Sequence, residues 1–126
     1  MNYLRTIALL VAVSVCFSGC AAVVLGGAAA GATYTYIKGW MEKDYPVNLK
    51  RAYNASIHAA SSHDLRIIEK GIDVTVAYVT AKGAKREVWI KLRRKSRHVT
   101  KISVRVGLIG DKEASKIIHN AIADSL

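Results

Sequence analysis

The sequence contains few of the residue patterns from which enzymes and metal sites are built. Only two of its 126 residues are cysteines, and no GxSxG, HExxH or P-loop motif occurs. The four histidines share no ligand spacing, so we expect them to be solvated surface residues. We therefore predict a protein that is not an enzyme and that has neither a cofactor nor a metal site. The histidines are His58, His63, His98 and His119.

The N-terminal residues have the composition of a signal peptide. The first five include Arg5 and no acidic residue, and residues 6–17 are uncharged and mostly apolar. This apolar segment is shorter than the roughly 20 residues that a membrane span needs. We therefore predict a signal peptide over residues 1–19 that is removed from the mature protein.

The two cysteines lie at the end of this segment. Ser18 and Gly19 directly precede Cys20, which resembles the lipobox of bacterial lipoproteins, although Phe17 stands where leucine is usual. The resemblance implies that Cys20 becomes the lipidated first residue. A disulfide or a metal site that used Cys16 would lie inside the removed segment, and no further ligand cluster accompanies the pair.

Residues 20–43 are predicted to form the lipid anchor and a Gly/Ala-rich tether. Gly27 and Gly31 have the GxxxG spacing that lets two helices pack closely in lipid. Because a single GxxxG motif is a weak signal, the interpretation as a flexible tether is favoured. In an alternative without cleavage, the uncharged residues 6–37 form a single membrane span. Aromatic and basic residues at the end of the tether are typical of a membrane-surface belt: Tyr34, Tyr36, Lys38 and Trp40.

Residues 44–126 are predicted to form one α+β domain. Apolar residues at helical spacing follow Pro46, and a second helix begins after Gly110 and Asp111. Four segments with an apolar period of two lie between these helices and predict an antiparallel sheet. We expect a two-layer sandwich with both helices on one face of a four-stranded sheet. The predicted buried residues of the helices are Leu49, Ala52, Tyr53, Ser56, Ile57, Ala60, Ala114, Ile117, Ile118, Ala121 and Ile122.

The period of two also predicts which strand residues face the helices. In the second strand the apolar alternation places Tyr78 opposite Ile90, whereas a two-residue "KGAK" turn would place it opposite Trp89. We follow the alternation, because a slip of one residue would turn charged side chains into the core. The predicted inward residues are Ile72, Val74, Val76, Tyr78, Val88, Ile90, Leu92, Ile102, Val104, Val106 and Leu108.

The sequence resembles a family of small bacterial lipoproteins that is catalogued as a domain of unknown function (family 3568). The features that carry the resemblance are the lipobox, the Gly/Ala tract, the "DYP" at residues 44–46 and a pattern at the end of the chain. The resemblance implies an envelope location and a fold, and no activity. The layout is also similar, at the level of fold alone, to a lipoprotein that helps to assemble lipopolysaccharide. The terminal pattern consists of Val104, Arg105, Val106, Gly107, Gly110, Asp111, Ser115, Ile118 and Ile122.

Acidic residues are scarce, with 9 against 19 lysines and arginines and a net charge of +10. Much of the excess lies between Lys82 and Arg105, where Glu87 is the one acid. The strand pattern turns four of these cations, next to Trp89, away from the helices: Lys91, Arg93, Lys101 and Arg105. They form either an anion-binding platform or a solvated face that prevents edge-to-edge aggregation.

These observations predict a lipid-anchored protein of the outer membrane that faces the periplasm, with the inner membrane as the alternative. We expect a structural or interaction role, with the membrane as a partner through the N-terminal lipid. In the alternative function, the basic face binds an anionic phospholipid or lipopolysaccharide and acts in assembly. We expect no nucleic-acid partner, because an exported protein rarely meets nucleic acid, and the sequence identifies no protein partner.

Overall fold

The computed structural model describes residues 2–4, 6–8 and 34–126. The chain divides into two units, residues 1–33 and 34–126. In the first unit, residues 2–4 and 6–8 are helical, and the Thr6 hydroxyl donates to the Asn2 carbonyl at 2.8 Å. Among the described residues, no helix combines the length and apolar character that crossing a membrane requires. The predicted membrane span over residues 6–37 falls mostly outside this described part.

The second unit consists of six strands and two helices, so the predicted α+β class is confirmed. The strands form one antiparallel sheet in the order β1-β2-β6-β5-β4-β3. In chain order the elements are β1 (Thr35–Ile37), β2 (Trp40–Tyr45), α1 (Leu49–Ser62), β3 (Arg66–Ile72), β4 (Val76–Lys82), β5 (Glu87–Ser96), β6 (Val99–Val106) and α2 (Lys112–Asp124).

The prediction of a four-stranded sheet is wrong, because β1 and β2 add two strands from residues that the sequence pattern places mainly in the tether. In β2 the buried Met41 and Tyr45 alternate with the more exposed Trp40 and Glu42. This strand pairs along its length with β6, for example Met41 with Val104. As a result β6 has a partner on each side and is not an edge strand, so its backbone groups are satisfied within the sheet.

Both helices contribute to one core on the same face of the sheet. Small residues line the buried side of α1, and these let the helix lie close to the strands. Asn48 caps α1 by accepting the Arg51 backbone N–H at 2.8 Å, and Asp111 caps α2 by accepting that of Ala114 at 3.0 Å. The core includes Ala52, Ala55, Ala59, Val79, Val88, Ile90, Leu92, Ile102, Val104, Val106, Ile118 and Ile122.

The predicted inward face of β4 is wrong. Val76 and Tyr78 are exposed, whereas Ala77, Val79 and Ala81 are buried against the helices. The helices pack against this face of β4, where the small side chains of Ala77 and Ala81 let them approach closely. On the other face Tyr78 lies across from a glycine of β3, where it covers backbone that has no side chain of its own.

The β4–β5 register differs from both predicted alternatives. Tyr78 pairs with Lys91, and neither Ile90 nor Trp89 is its partner. The turn lies one residue later than the "KGAK" turn, since the Gly83 N–H donates to the Arg86 carbonyl at 2.9 Å. The inward positions predicted on β5 and β6 are confirmed as far as Val106.

Four further predictions of burial are wrong. Leu108 is exposed because Gly107, with φ at +76°, ends β6 and turns the chain away from the sheet. Ile72 and Val74 are exposed, since β3 ends at Ile72 and Val74 lies in the loop before β4. Ile117 is half exposed on the outer side of α2, where it extends beyond the buried stripe of the helix.

Candidate functional site

The sheet has one face that neither helix covers, and we call it the outer face. Alternate side chains of the strands point to it, and across β2, β6, β5 and β4 the cross-strand pairing arranges them in three rows. From the β6–α2 end, the rows are Trp40–Arg105–Trp89–Thr80, Glu42–Ser103–Lys91–Tyr78 and Asp44–Lys101–Arg93–Val76.

The four predicted cations all lie on the outer face. Lys91 and Arg93 are exposed, and Lys101 and Arg105 are partly exposed. Arg93 and Lys101 are direct cross-strand partners, and such pairs have side chains about 5 Å apart at Cβ. The two positive charges repel each other, so a negative charge nearby is favourable, whether it belongs to a neighbouring acidic residue or to an external anion.

Two acidic residues of β2 form ion pairs with lysines on or next to this row. The Lys101 ammonium lies 3.6 Å from the Glu42 carboxylate, and that of Lys95 lies 2.8 Å from Asp44. These pairs are partly exposed and contribute little stability. Within the described residues, Lys91, Arg93 and Arg105 have no ion-pair partner. Three of the four predicted cations are therefore available to an external anion, and Lys101 is largely neutralised.

Trp40 organises the cations that lie nearest to the β6–α2 end. The Lys91 ammonium is 4.4 Å from the centroid of the Trp40 ring, and the Arg105 guanidinium is 5.9 Å from it. Lys91 reaches this ring across Ser103, whose small side chain leaves the path open. Both contacts are in the range of cation–π attraction, which holds the charges over an aromatic surface.

The sequence prediction places Trp40 in a membrane-surface belt and does not include it among the residues of the outer face. The signal was present in "WMEKDY", where Trp40, Glu42 and Asp44 alternate with Met41 and Tyr45 as in a strand with one buried face.

Positive charge continues beyond the outer face at the other end of the sheet. A groove of about 820 Å³ lies between the start of α1, the β3–β4 loop and the β5–β6 hairpin. Its cationic lining consists of Lys50, Arg51, Arg94 and Arg97, while Asp73 is the acid there and also binds the Val74 backbone N–H. The β5–β6 hairpin thus presents cations on both sides of the sheet.

A second polar cluster is buried between β2 and α2. His119 is fully buried, which corrects the prediction that all four histidines are solvated; His58, His63 and His98 are exposed. The Nε2 of His119 lies 2.8 Å from the Met41 carbonyl, and the Nδ1 of His119 lies 2.9 Å from the Tyr45 hydroxyl. Because a carbonyl can only accept, Nε2 carries the proton and Nδ1 accepts from Tyr45.

Burial keeps the His119 ring neutral. Desolvation lowers the pKa of His119 to about 4, and the nearby Lys43 ammonium acts in the same direction. Desolvation also raises the pKa of the Tyr45 phenol, so this group remains a hydrogen-bond donor. The ring has a hydrogen-bond partner at each nitrogen and joins α2 to β2. The arrangement therefore accounts for His119 as a structural residue.

The described residues contain no group of three or more His, Cys, Asp or Glu side chains that could hold a metal ion. The predicted lipidation residue, Cys20, lies outside the described residues. So do Gly27 and Gly31, the predicted helix-packing pair.

A comparison with curated proteins returns no match. A family described as "Protein of unknown function (DUF3568)" matches residues 4–125, which is nearly the whole sequence. The chain therefore belongs to the DUF3568 family.

Proposed function

We propose that this chain is a lipid-anchored protein of the cell envelope whose domain contacts anionic headgroups through its outer face. The observation that carries the proposal is the arrangement of Lys91, Arg93 and Arg105. These cations lie on the sheet face that both helices leave uncovered, next to Trp40, and have no ion-pair partner among the described residues. The role is one of binding and not of catalysis.

The anchor in this proposal is a lipid on Cys20, for which the lipobox-like "FSGC" is the support. Stable attachment requires more than one acyl chain or a chain combined with a basic patch, and the outer face supplies such a patch. Ala21 follows Cys20 in place of the aspartate that signals retention in the inner membrane of enteric-type bacteria, which favours the outer membrane. Mass spectrometry of the mature N-terminus should find a lipidated Cys20; an intact Met1 would contradict the anchor.

The proposed ligands are phosphate-bearing headgroups of phospholipids or lipopolysaccharide. Guanidinium and ammonium groups both suit phosphate oxygens, and near an anionic membrane each contributes on the order of 1 kcal/mol.

The test uses residues 34–126, which contain all six strands, both helices and the whole described core. Binding should be measured to phosphatidylcholine vesicles with and without phosphatidylglycerol, and to lipopolysaccharide, at increasing salt. A combined Lys91→Glu, Arg93→Glu and Arg105→Glu variant should lose most of the binding while its circular dichroism stays unchanged. Binding equal to that of the parent would show that the outer face is merely solvated.

Two controls separate a local site from a general effect of net charge. A combined Lys70→Glu and Lys116→Glu variant changes the net charge at exposed positions away from both the outer face and the cationic groove, and its match is a combined Lys91→Glu and Arg93→Glu variant. It should retain more binding than this matched outer-face variant. On the outer face itself, Lys101→Ala should weaken binding less than Lys91→Ala, because Glu42 already neutralises Lys101.

A further inference from the structure

We propose that the loop between β6 and α2 inserts Leu108 and Ile109 into the interfacial region of an anionic bilayer. This inference shares with the proposed function its membrane location, but it depends on apolar side chains and not on the outer-face cations. It assigns the domain a point of insertion and thereby an orientation.

The two residues have an exposure that is rare for large aliphatic side chains. Leu108 is 82% exposed and Ile109 is 91% exposed, and they are consecutive. Single exposed aliphatic residues are common on protein surfaces, whereas adjacent and almost fully exposed ones mark interaction sites more often. Neither residue is needed by the core, since β6 ends before them and the core of the domain is already closed by α2.

The backbone holds this pair in place. Gly107 and Gly110 bracket it with φ angles of +76° and +93°, which only glycine adopts without strain. The loop also rests against Gly39 of the β1–β2 turn: a Cβ on Gly110 would lie 2.5 Å from the Gly39 Cα. Two backbones at this distance exclude side chains, so the loop presents Leu108 and Ile109 from a fixed support.

Cations surround the exposed pair. Lys38 precedes Gly39 in the supporting turn, and Lys112 follows the loop at the start of α2. A cavity of about 710 Å³ next to the loop is lined by Lys82, Lys85 and Trp89 as well as by the two aliphatic residues. Acids at this end are Glu87, Asp111 and Glu113, and the carboxylate of Asp111 is already bound by Arg86 at 2.6 Å.

An apolar tip within a basic surround matches an anionic membrane surface. The aliphatic side chains would enter the boundary of the acyl chains while the lysines remain at the level of the phosphates. Two side chains are too small an area for a stable protein interface, which buries about 800 Å² on each partner. The membrane is therefore the occupant that the size and the charge of this surface favour.

The test exploits the absence of cysteine from residues 34–126, since both cysteines of the chain precede them. Ile109→Cys carries a polarity-sensitive fluorophore, and Val74→Cys carries it as the control. Val74 is 73% exposed and lies in the β3–β4 loop at the other end of the sheet. With phosphatidylcholine–phosphatidylglycerol vesicles, the label at position 109 should shift to shorter wavelength and be quenched by brominated lipid. The label at position 74 should stay in water.

The unlabelled variants measure how much the pair contributes. Leu108→Ser combined with Ile109→Ser should bind the vesicles about tenfold more weakly, which corresponds to about 1.4 kcal/mol, and the loss should persist at high salt. Val74→Ser should bind like the parent. A label at position 109 that stays in water on vesicle-bound protein would overturn the proposal. So would a shift that needs no vesicles and grows with protein concentration, because it would indicate a second copy of the chain as the occupant.

The outcomes distinguish this inference from the proposed function. If charge reversal of the outer face leaves binding unchanged while the label at position 109 still shifts, the outer-face proposal fails and insertion stands. If charge reversal abolishes salt-sensitive binding but the label on the parent protein never shifts, insertion fails and the outer face stands. If the labelled domain binds neither vesicles nor lipopolysaccharide, both are overturned.

Discussion

Acidification should destabilise the domain through the buried His119. At neutral pH this ring is uncharged, donates from Nε2 to the Met41 carbonyl and accepts the Tyr45 hydroxyl at Nδ1. A second proton would place a positive charge in a site without solvent and close to the Lys43 ammonium. It would also give Nδ1 a hydrogen where the neutral ring uses a lone pair.

The sign and the size of the effect follow from the pKa. Burial lowers the pKa of His119 to about 4 in the folded state from 6.5, so the unfolded chain binds more protons between these two values. The stability contributed by the neutral ring is fully present above about pH 6.5 and is lost as the pH falls toward 4. Each pH unit in this window corresponds to about 1.4 kcal/mol, so the total loss is on the order of 3 kcal/mol.

Urea unfolding of residues 34–126 at a series of pH values measures this loss. Carboxylates also titrate in acid, so the informative quantity is the difference between the parent and a His119→Gln variant. The amide of glutamine retains a donor for the Met41 carbonyl without titrating. The variant should be less stable than the parent at pH 7 but should show a shallower decline between about pH 6.5 and about pH 4.

An exposed histidine provides the control. His98→Gln should leave both the stability and its pH dependence close to those of the parent, because the side chain of His98 is exposed in the β5–β6 turn. Parallel pH profiles for the parent and His119→Gln would refute the reasoning, since they would mean that the proton on His119 costs the same in both states of the chain.

Two further predictions use pairs of like residues in different surroundings. Ser115→Ala should stabilise the domain by about 1 kcal/mol, because the buried Ser115 hydroxyl has no hydrogen-bond partner among the described residues and alanine favours the helix. Ser56→Ala should gain less in the same unfolding assay, because the hydroxyl of Ser56 donates to the carbonyl one turn earlier at 2.8 Å. Gly110→Ala should cost more than about 2 kcal/mol, since the new Cβ would meet Gly39 at positive φ, whereas Gly83→Ala, whose nearest contact is a flexible leucine methyl, should cost less than about 1 kcal/mol. Equal effects within either pair would contradict the explanation.

The helices were the most predictable part of the fold because local signals define them. The buried stripe of each helix is visible as a period of 3.6, and Asp111 at the predicted start of α2 is its N-cap. The start of α1 was less predictable, since its N-cap is Asn48, two residues after the Pro46 at which the sequence prediction begins the helix. The inward residues of β5 and β6 were predictable for a similar reason. Their polar positions carry lysines and arginines, so only one orientation keeps these charges out of the core.

For β4 such a signal is absent, whereas for β2 it is present in "WMEKDY" but the sequence prediction did not follow it. Both faces of β4 are apolar, so the alternation does not determine its orientation, and the close approach of α1 selects the face with Ala77 and Ala81. In β2 the difficulty was the preceding Gly/Ala tract, whose composition made the following aromatic residues look like the end of a tether. The pairing of β2 with β6 is a long-range interaction, and no local property of residues 40–45 indicates which strand they pair with.

The candidate site was likewise predictable only in part. The strand period alone indicates four cations on one face, yet it does not reveal that Glu42 neutralises Lys101. Nor does it bring Trp40 to Lys91, because these residues are about fifty positions apart in the chain and their strands are separated by β6. Charge count is therefore readable from sequence, whereas the availability of each charge depends on the cross-strand neighbours.

The geometry of the sheet relates the outer face to the inserting loop. The row that contains Trp40, Arg105 and Trp89 lies at the end of the sheet where β6 leads into the loop, and the Arg105 Nε donates to the Gly107 carbonyl at 3.3 Å. A flat membrane that accepts the loop therefore meets this row first. Arg93 lies four residues further along β5 from Trp89, which at about 3.4 Å per residue is about 14 Å.

That separation exceeds the Debye length of about 8 Å at physiological salt. If the domain tilts so that the loop enters the bilayer, the attraction between Arg93 and the headgroups is strongly screened, while Arg105 remains in direct contact. If the sheet instead lies flat on the membrane, Arg93 and Arg105 are equally close to the phosphates. The tilted orientation therefore predicts that Arg105→Ala weakens vesicle binding more than Arg93→Ala, whereas the flat orientation predicts equal losses, and the exposure of Leu108 and Ile109 favours the tilted one.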